Sequence, residues 1–213
     1  MIILSFAGRQ KNGKTASKNL CKRIMLESLI EKDKIGIIHL PQLSDAINGV
    51  NMYSSILRVR ECSFAAPLRK MIYAGFDLKN GTLEEDKDRL ISGYNFSSKG
   101  VITNRDLMVA VAESLRERLG YGLFVQMMER KINEEISHGQ TELFIIDDLR
   151  KDVEFDLLCG YENSYTVWVE NTKIDNDYDG EIDREECDYE IDWETPEELD
   201  SALRGILKDL EVI

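Results

Sequence analysis

Histidine, proline and tryptophan are scarce in this chain of 213 residues, with two, three and two copies respectively. The two histidines, His39 and His138, make histidine-based metal sites and Ser-His-Asp hydrolysis poor candidates. The four cysteines are scattered and form no C-x-x-C pair, which indicates reduced thiols rather than a disulfide or zinc framework. No apolar run approaches the length that spans a membrane. These absences favour an intracellular protein without a membrane partner.

Basic residues are also in short supply, because 27 Lys and Arg stand against 40 Asp and Glu, for a net charge of −13. A nucleic-acid-binding protein needs a basic surface to meet phosphate backbones, so this balance argues against nucleic acid as a partner. Near the start of the chain, however, basic side chains are concentrated: Arg9, Lys11, Lys14, Lys18, Lys22 and Arg23. An acidic protein with one basic region suits a small anionic ligand.

The segment from Gly8 to Thr15 matches the phosphate-binding loop pattern G-x-x-x-x-G-K-[ST] at every specified position. It lies between a short apolar, β-prone stretch, Met1–Ala7, and a helical segment. The two glycines permit a turn that points backbone N–H groups at phosphate oxygens, and the helix dipole adds to the same positive potential. We expect Lys14 to reach the β- and γ-phosphates of ATP and the Thr15 hydroxyl to ligate Mg²⁺. The predicted ATP-binding residues are Gly8, Arg9, Lys11, Asn12, Gly13, Lys14, Thr15 and Ala16.

Further along the chain, apolar β-prone runs alternate with helical patterns, which is typical of an α/β protein with a parallel sheet. We predict strands at 36–40, 62–65, 165–169 and 188–192, besides the first strand at Met1–Ala7. That start leaves no room for a signal peptide, so we expect a cytoplasmic protein, in the host cytoplasm if its source is viral. Near the end of the chain, Thr195, Pro196 and Glu198 predict the capped start of a closing helix.

Two helical stripes are interpreted as core. The first comprises Leu107, Met108, Val111, Ala112, Leu115 and Leu119, and the second Phe124, Met127, Met128, Ile132 and Ile136. The charged stretch around 77–100, which precedes both stripes, contains glycines and predicts an exposed, mobile excursion, here called the insert. We predict a single domain spanning residues 1–213 that includes this insert.

The run Glu142–Ile146 is apolar apart from its first residue and ends in Asp147 and Asp148. A buried parallel strand delivers such acids to the carboxyl edge of its sheet, where ligands bind. Together with the loop at Gly8, this predicts Asp148 as the second Mg²⁺-associated residue after Thr15. The alternative is a strand end with solvated aspartates.

Four segments, at 64–69, 105–116, 148–154 and 188–199, resemble elements of the phage-type deoxynucleoside monophosphate kinases, a branch of the phosphate-loop kinases. Phe64–Arg69 resembles the family's F-A-D-P-L-K element, and Asp148–Glu154 resembles its D-x-R-x-x-x-E motif. Between them, Arg105-Asp106-Leu107 with Glu113 and Arg116 is similar to its R-x-L-L-Q-x-x-G-E-x-x-R helix. The segment 188–199 is similar to its closing strand and helix. Four residues depart from the pattern: Thr15, where many members have Asp; Ala66 for the Asp of F-A-D-P; Ala112 for the helix Gly; and Glu170, where an Arg often follows the fourth strand.

The resemblance implies a P-loop NTPase fold of the adenylate-kinase-like type, with a parallel sheet flanked by helices and with the insert around 77–100 as a mobile lid or acceptor-binding excursion. It implies transfer of the ATP γ-phosphoryl group to a deoxynucleoside monophosphate, with Mg²⁺ as cofactor. The expected catalytic residues are Lys14 and Arg150, since Arg150 follows a core strand and offers a bidentate fork to the acceptor phosphate. The expected substrate-binding residues are Phe64, Arg69, Arg105, Arg116, Arg150 and Glu154. Phe64 could equally be core, and Arg105 and Arg116 could be solvated helix-face charges. A homodimer is also compatible with the resemblance.

Other functions stay open at this point. A phosphate-loop kinase of another small metabolite would share the donor site, and a non-catalytic ATP-binding regulator would fit the departures at Ala66 and Glu170. Residues 175–186 match the calcium-loop pattern D-x-[DN]-x-[DN]-G-x₅-E. An EF-hand places that loop between helices, whereas strands are predicted on both sides here. We therefore interpret the segment as a solvated acidic connection, with calcium binding as the alternative.

Overall fold

The computed structural model describes residues 1–9, 11–31, 58–75, 103–175 and 180–213. The predicted strand at 36–40 and the predicted insert at 77–100 lie outside these residues. The described strands are β1 (Ile2–Ala7), β2 (Val59–Cys62), β3 (Leu143–Ile146), β4 (Ser164–Asn171) and β5 (Tyr189–Trp193). The described helices are α1 (Lys14–Glu31), α2 (Ala66–Gly75), α3 (Asn104–Leu119), α4 (Leu123–His138), α5 (Asp152–Cys159) and α6 (Pro196–Asp209), with a 3₁₀ turn at Arg184–Glu186.

The five strands form one sheet in the order β2-β3-β1-β4-β5, and every described pairing is parallel. The α/β class with a parallel sheet flanked by helices is therefore confirmed. β1 and β3 are neighbours, but the chain leaves β1 toward β2 and leaves β3 toward β4, in opposite directions across the sheet. Ligands of open α/β sheets bind at such a switch point, at the carboxyl ends of the strands.

The described chain divides into two compact units, one of Met1–Ser63 with Glu129–Ile213 and one of Phe64–Met128. In the first unit, residues of β1 from Ile3 to Ala7 are all buried, as expected for a parallel strand covered on both faces. Its core joins the sheet to α1 and α6; the members include Leu4, Phe6, Ile24, Ile145, Val167, Val169, Leu203 and Leu207. This packing anchors the central strand from which the Gly8 loop begins.

In the second unit, α2 packs on α3. Leu68 and Ile72 of α2 join a buried cluster with Leu107, Ala112 and Phe124. The first turn of α3 is closed by a capping box, in which the Thr103 hydroxyl accepts from the Asp106 N–H at 3.1 Å and the Asp106 carboxylate accepts from the Thr103 N–H at 2.9 Å. The helical interpretation of residues 107–119 is confirmed.

Two predictions about these elements were wrong. The second described strand is Val59–Cys62 rather than 62–65. β2 lies at one end of the described sheet and exposes Arg60 and Glu61, so it lacks the apolar run used to find it. Leu119, Met127 and Ile136, interpreted as core, are 63%, 39% and 49% exposed. The buried stripe of α4 follows Phe124, Met128 and Ile132, and Met127 and Ile136 fall roughly 80–100° from its centre at about 100° per residue. Leu119 is the last residue of α3.

The remaining strand predictions agree with the structure, since β3, β4 and β5 overlap the runs found in the sequence. The start of α6 is also confirmed: Thr195 is its N-cap, Pro196 opens its first turn, and Glu198 completes a capping box. None of the described helices combines the length and the apolar character that crossing a membrane requires.

Candidate functional site

The loop that joins β1 to α1 has a backbone that few side chains allow. Gly8 and Gly13 have φ of +130° and +101°, and Lys11 has φ of 60°. A Cβ atom built on Gly8 would lie 2.3 Å from the carbonyl oxygen of Val169 on the neighbouring strand β4. Glycine is therefore required at position 8 both by its backbone angle and by the close approach of β4.

The second glycine of the loop lies against Trp193, the last residue of β5. A Cβ atom on Gly13 would lie 2.7 Å from Cζ2 of the indole ring. The indole Nε1–H donates to the carbonyl of Asn12 at 3.0 Å. Sequence reasoning missed Trp193, because no local pattern connects the end of the fifth strand with a loop near the start of the chain.

Lys14 lies over the backbone of the same loop. Its ammonium donates to the carbonyl oxygens of Gly8 at 2.5 Å and Arg9 at 2.6 Å, and the residue is buried. α1 begins here, with the N–H of Ser17 donating to the carbonyl of Gly13 at 2.7 Å. The lysine that the pattern assigns to phosphate contact is thus held at the loop by neutral carbonyls.

Asn12 supplies an independent indication that this loop is a polar binding site. Its side chain is fully buried, yet neither Nδ2 nor Oδ1 has a hydrogen-bond partner, and the buried Oγ of Ser17 has none either. Buried polar groups without partners are costly and uncommon. The Asn12 amide N–H₂ and the Ser17 hydroxyl are donors beside turned backbone amides, and donors fit an oxygen-rich anionic ligand such as a polyphosphate.

Most of the other cations of this region are paired with carboxylates. Arg9 lies 3.5 Å from Glu170 and 3.3 Å from Asp175. Glu170 also accepts from Trp168 Nε1 at 3.0 Å and contacts Arg184 at 3.3 Å. Glu170, the departure at the end of β4, is therefore the centre of an ion-pair network beside the loop.

Arg184 enters that network from the 3₁₀ turn between β4 and β5. Its guanidinium donates to Glu190 at 2.6 Å and to Asp192 at 2.8 Å, both on β5. Hydrogen bonds from these two carboxylates, Asp192 first, raise the pKa of Arg184. The turn is thereby attached to the outer strand of the sheet.

One helical turn after Lys14, Lys18 pairs with Asp147 at 2.7 Å. Lys18 also lies 3.6 Å from Glu61, which forms a 2.7 Å pair with Lys22. Burial tends to raise the pKa of Glu61, but the hydrogen bond from Lys22 and the charges of both lysines hold it below its ordinary value. The first of the two aspartates after β3 thus pairs with α1, and the role of Asp148 as the metal-associated acid stays a prediction.

The turn after β3 is organised by Glu154. Its Oε2 accepts from the backbone N–H of Arg150 at 3.0 Å and of Lys151 at 3.2 Å, and the residue is buried. On the other side, the N–H of Glu181 donates to the carbonyl of Arg150 at 2.7 Å. Glu154, expected to bind substrate, here holds the backbone that carries Arg150.

The Mg²⁺ ligands predicted from the sequence are Thr15 and Asp148. Among the described residues, no three His, Cys, Asp or Glu side chains converge on one point. Thr15 is exposed in the first turn of α1, where its hydroxyl is accessible to a bound ion. Mg²⁺ keeps several waters and takes substrate phosphates with only one or two protein oxygens, so the absence of such a cluster among the described residues does not conflict with the prediction of Thr15 and Asp148.

The other predicted substrate-binding residues belong to the second unit. Phe64 is buried at 3% exposure, which favours its core interpretation. The guanidinium carbon of Arg116 lies 5.6 Å from the centroid of the Phe124 ring, so this arginine makes a cation–π contact within its own unit. Arg105 is exposed in the first turn of α3, and Arg69 is half-buried on α2. Roles of these four residues toward a substrate stay predictions.

The segment that matches the calcium-loop pattern connects β4 to β5, as the predicted strands required. Residues 176–179, which hold two of its acidic positions, lie outside the described residues. Of the rest, Asp175 pairs with Arg9, and the Glu181 carboxylate lies 2.7 Å from Lys151 Nζ. The described part of the segment is therefore engaged with the loop and with the turn after β3.

Comparison with known proteins adds no assignment, since no family model matches the chain and no curated protein matches its sequence.

Proposed function

We propose that the chain is a nucleotide kinase with an adenylate-kinase-like phosphate-loop fold, which transfers the γ-phosphoryl group of ATP to a deoxynucleoside monophosphate. The observation that carries the proposal is the loop between the central strand β1 and α1. Positive φ angles at Gly8, Lys11 and Gly13 lie there beside a lysine bonded to two loop carbonyls. The loop also begins at the switch point of a parallel sheet.

The loop after β1 is the proposed binding site for the phosphates of ATP, the phosphoryl donor. Turned backbone amides and the start of α1 attract phosphate oxygens, and Lys14 can exchange its bonds to the carbonyls of Gly8 and Arg9 for bonds to phosphate. Mg²⁺, when bound, neutralises charge on the phosphate oxygens, with Thr15 and Asp148 as the residues that would hold it. The unpaired amide of Asn12 is a further polar group for the donor.

The acceptor side is supported by the turn after β3 and by the resemblance of Asp148–Glu154 to the family motif. Glu154 and Glu181 together hold the backbone of Arg150, which follows β3 beyond the carboxyl end of that strand; its guanidinium is the planar fork that we assign to the acceptor phosphate. The acceptor phosphate is already anionic, so no catalytic base is needed. Positioning by Arg150 and charge stabilisation by Lys14 supply the catalysis.

The test is a coupled ADP-release assay across a panel of ribo- and deoxyribonucleoside monophosphates with ATP and Mg²⁺. Lys14→Ala is expected to lower turnover by at least about a hundredfold, because it removes a charge that strengthens its contacts in the transition state. Lys208→Ala, which removes an exposed lysine from the last turn of α6, is the matched control. Wild-type turnover in Lys14→Ala, or no acceptor-dependent ADP from the wild type, would end the proposal.

A non-catalytic ATP-binding regulator is the second candidate, and one contact favours it. Glu170 neutralises Arg9 of the loop at a position where the resembled family often has a cation. ATP binding without acceptor-dependent ADP production would identify this function. Turnover with a non-nucleotide acceptor would instead indicate a kinase of another small metabolite.

The remaining proposals concern the cellular location, the partners and the oligomeric state of the protein. We place the protein in the cytoplasm with small nucleotides as its partners, and a homodimer is compatible with this function. Sedimentation at assay concentrations measures the oligomeric state directly.

A further inference from the structure

Trp193 makes two contacts with the phosphate loop. Its Nε1–H donates to the carbonyl of Asn12 at 3.0 Å. Its ring lies against Gly13, where an added Cβ would approach Cζ2 to 2.7 Å, Cε2 to 3.1 Å and Nε1 to 3.2 Å. Both contacts fall on the single peptide unit that joins Asn12 to Gly13.

That peptide unit is trans, since the described chain contains no cis bonds. In a planar trans peptide the C=O and the following N–H point in opposite directions. Holding the Asn12 carbonyl toward the indole therefore directs the N–H of Gly13 away from β5. A phosphate nest depends on amides that converge on one point, so the rotation of this peptide bears directly on the affinity for phosphate.

The indole is itself well placed to hold the peptide. Trp193 ends β5, where its carbonyl accepts from the N–H of Thr172 at 3.1 Å, and its side chain packs on the core that joins the sheet to α1 and α6. The other tryptophan differs, because Trp168 donates its Nε1–H to the carboxylate of Glu170.

We propose that Trp193 is a positioning residue for the phosphate loop: its indole N–H sets the orientation of the Asn12–Gly13 peptide and so strengthens binding of the triphosphate chain of the donor nucleotide. This inference rests on the proposed function, and it adds a residue that no phosphate-loop pattern contains. It assigns Trp193 to the phosphates of the donor rather than to its base.

The experiment compares two proteins that differ in one ring atom. In a Trp168→Phe background, Trp193 is the sole tryptophan, and a tryptophan-auxotrophic host can replace it with benzothienylalanine, which has sulfur in place of the indole N–H. Binding of ATP and of inorganic tripolyphosphate is measured by calorimetry with Mg²⁺ present. Urea unfolding of both proteins shows whether the ring still packs. Trp193→Phe, which also lacks the N–H, is measured in parallel.

We expect the benzothienyl protein to bind both ATP and tripolyphosphate about five- to tenfold more weakly, the usual effect of one lost hydrogen bond. The unfolding midpoint should fall only slightly, because one hydrogen bond of the unliganded protein is lost while the ring still packs. Equal affinities in the two proteins would overturn the inference and leave the proposed function intact. A loss confined to ATP would also overturn it, since the indole would then act on the base or sugar. If the tryptophan-containing protein binds neither ligand, the proposed function and this inference fall together.

Discussion

The loop after β1 and the turn after β3 begin at the carboxyl ends of adjacent parallel strands, yet they are held in different ways. The loop is shaped by its backbone, with Gly8 facing a β4 carbonyl and Gly13 facing an indole. The turn is shaped by side chains, with Glu154 accepting from two backbone N–H groups and Asp147 paired with Lys18.

This difference determines how each region tolerates substitution. Where a glycine is already in van der Waals contact with its neighbours, an added methyl group cannot be accommodated without a shift of the backbone. Substitution there is expected to abolish most of the stability or function of the loop. Where charges and hydrogen bonds hold a turn, a substitution removes one interaction among several, and the response is graded. The predictions below test that contrast.

Gly8→Ala is expected to have the largest effect. Its Cβ would lie 2.3 Å from the Val169 carbonyl at a φ of +130°, so we expect destabilisation by about 3 kcal/mol and loss of ATP binding. Urea unfolding and ATP calorimetry measure the two effects. The control is Gly205→Ala within α6, where an added Cβ meets nothing within 4 Å. Gly205→Ala should stabilise the protein by about 0.5–1 kcal/mol. Equal changes in unfolding free energy for the two variants would contradict the difference between the loop and the turn.

Arg150→Lys tests the turn after β3. A point charge cannot reproduce a planar fork, so we expect the acceptor KM to rise and turnover to fall by roughly tenfold, with ATP affinity retained. The coupled assay at varied acceptor, with ATP calorimetry beside it, separates the two substrates. Unchanged acceptor kinetics with weakened ATP binding would mean that Arg150 serves the donor.

Lys18→Met removes the ion-pair partner of Asp147. The side chains of Lys18 and Asp147 are 18% and 13% exposed. We expect destabilisation by about 1–2 kcal/mol, because a half-buried carboxylate loses its charged donor. Lys173→Met is the matched control, since its 3.4 Å pair with Glu194 is 60% and 55% exposed and should contribute under about 0.5 kcal/mol. In the double variant with Asp147→Asn, part of the stability lost in Lys18→Met should be restored. If the changes in unfolding free energy of the two single variants simply add in the double variant, the two residues are not coupled.

The smallest expected effect is on acid stability. Burial tends to raise the pKa of Asp200, but hydrogen bonds from Arg204 and Arg23 lower it below its ordinary value of 3.8. In the same way, Lys22 and Lys18 lower the pKa of Glu61 below its ordinary value of 4.5, against the effect of burial. A lowered carboxylate pKa contributes stability that is full above the ordinary value and is lost as pH falls through the folded value. Unfolding free energies should thus decline below about pH 4.5, and Asp200→Asn should flatten that decline by under about 1 kcal/mol. A steeper decline in the variant would contradict the assignment.

Much of the fold was predictable because it depends on local patterns. The continuous apolar residues of β3 predict a buried strand, and Thr195, Pro196 and Glu198 predict the start of α6. Both signals lie within a few residues of the sequence, because strand burial and helix capping depend on local residue types. The loop at Gly8–Thr15 is similarly local. β2 was misplaced because an edge strand carries charged residues that no apolar pattern marks.

What the sequence alone determined is therefore the order and type of the elements and the presence of a loop with two special glycines. Tertiary structure alone decided which side chains meet that loop: Trp193 on Asn12, Glu170 on Arg9 and Asp147 on Lys18. These contacts depend on the strand order β2-β3-β1-β4-β5, which brings residues from distant parts of the chain to one edge of the sheet. Hydrogen bonds and ion pairs act over only a few ångströms, so they follow from the spatial arrangement of the strands and leave no periodic signal in the sequence.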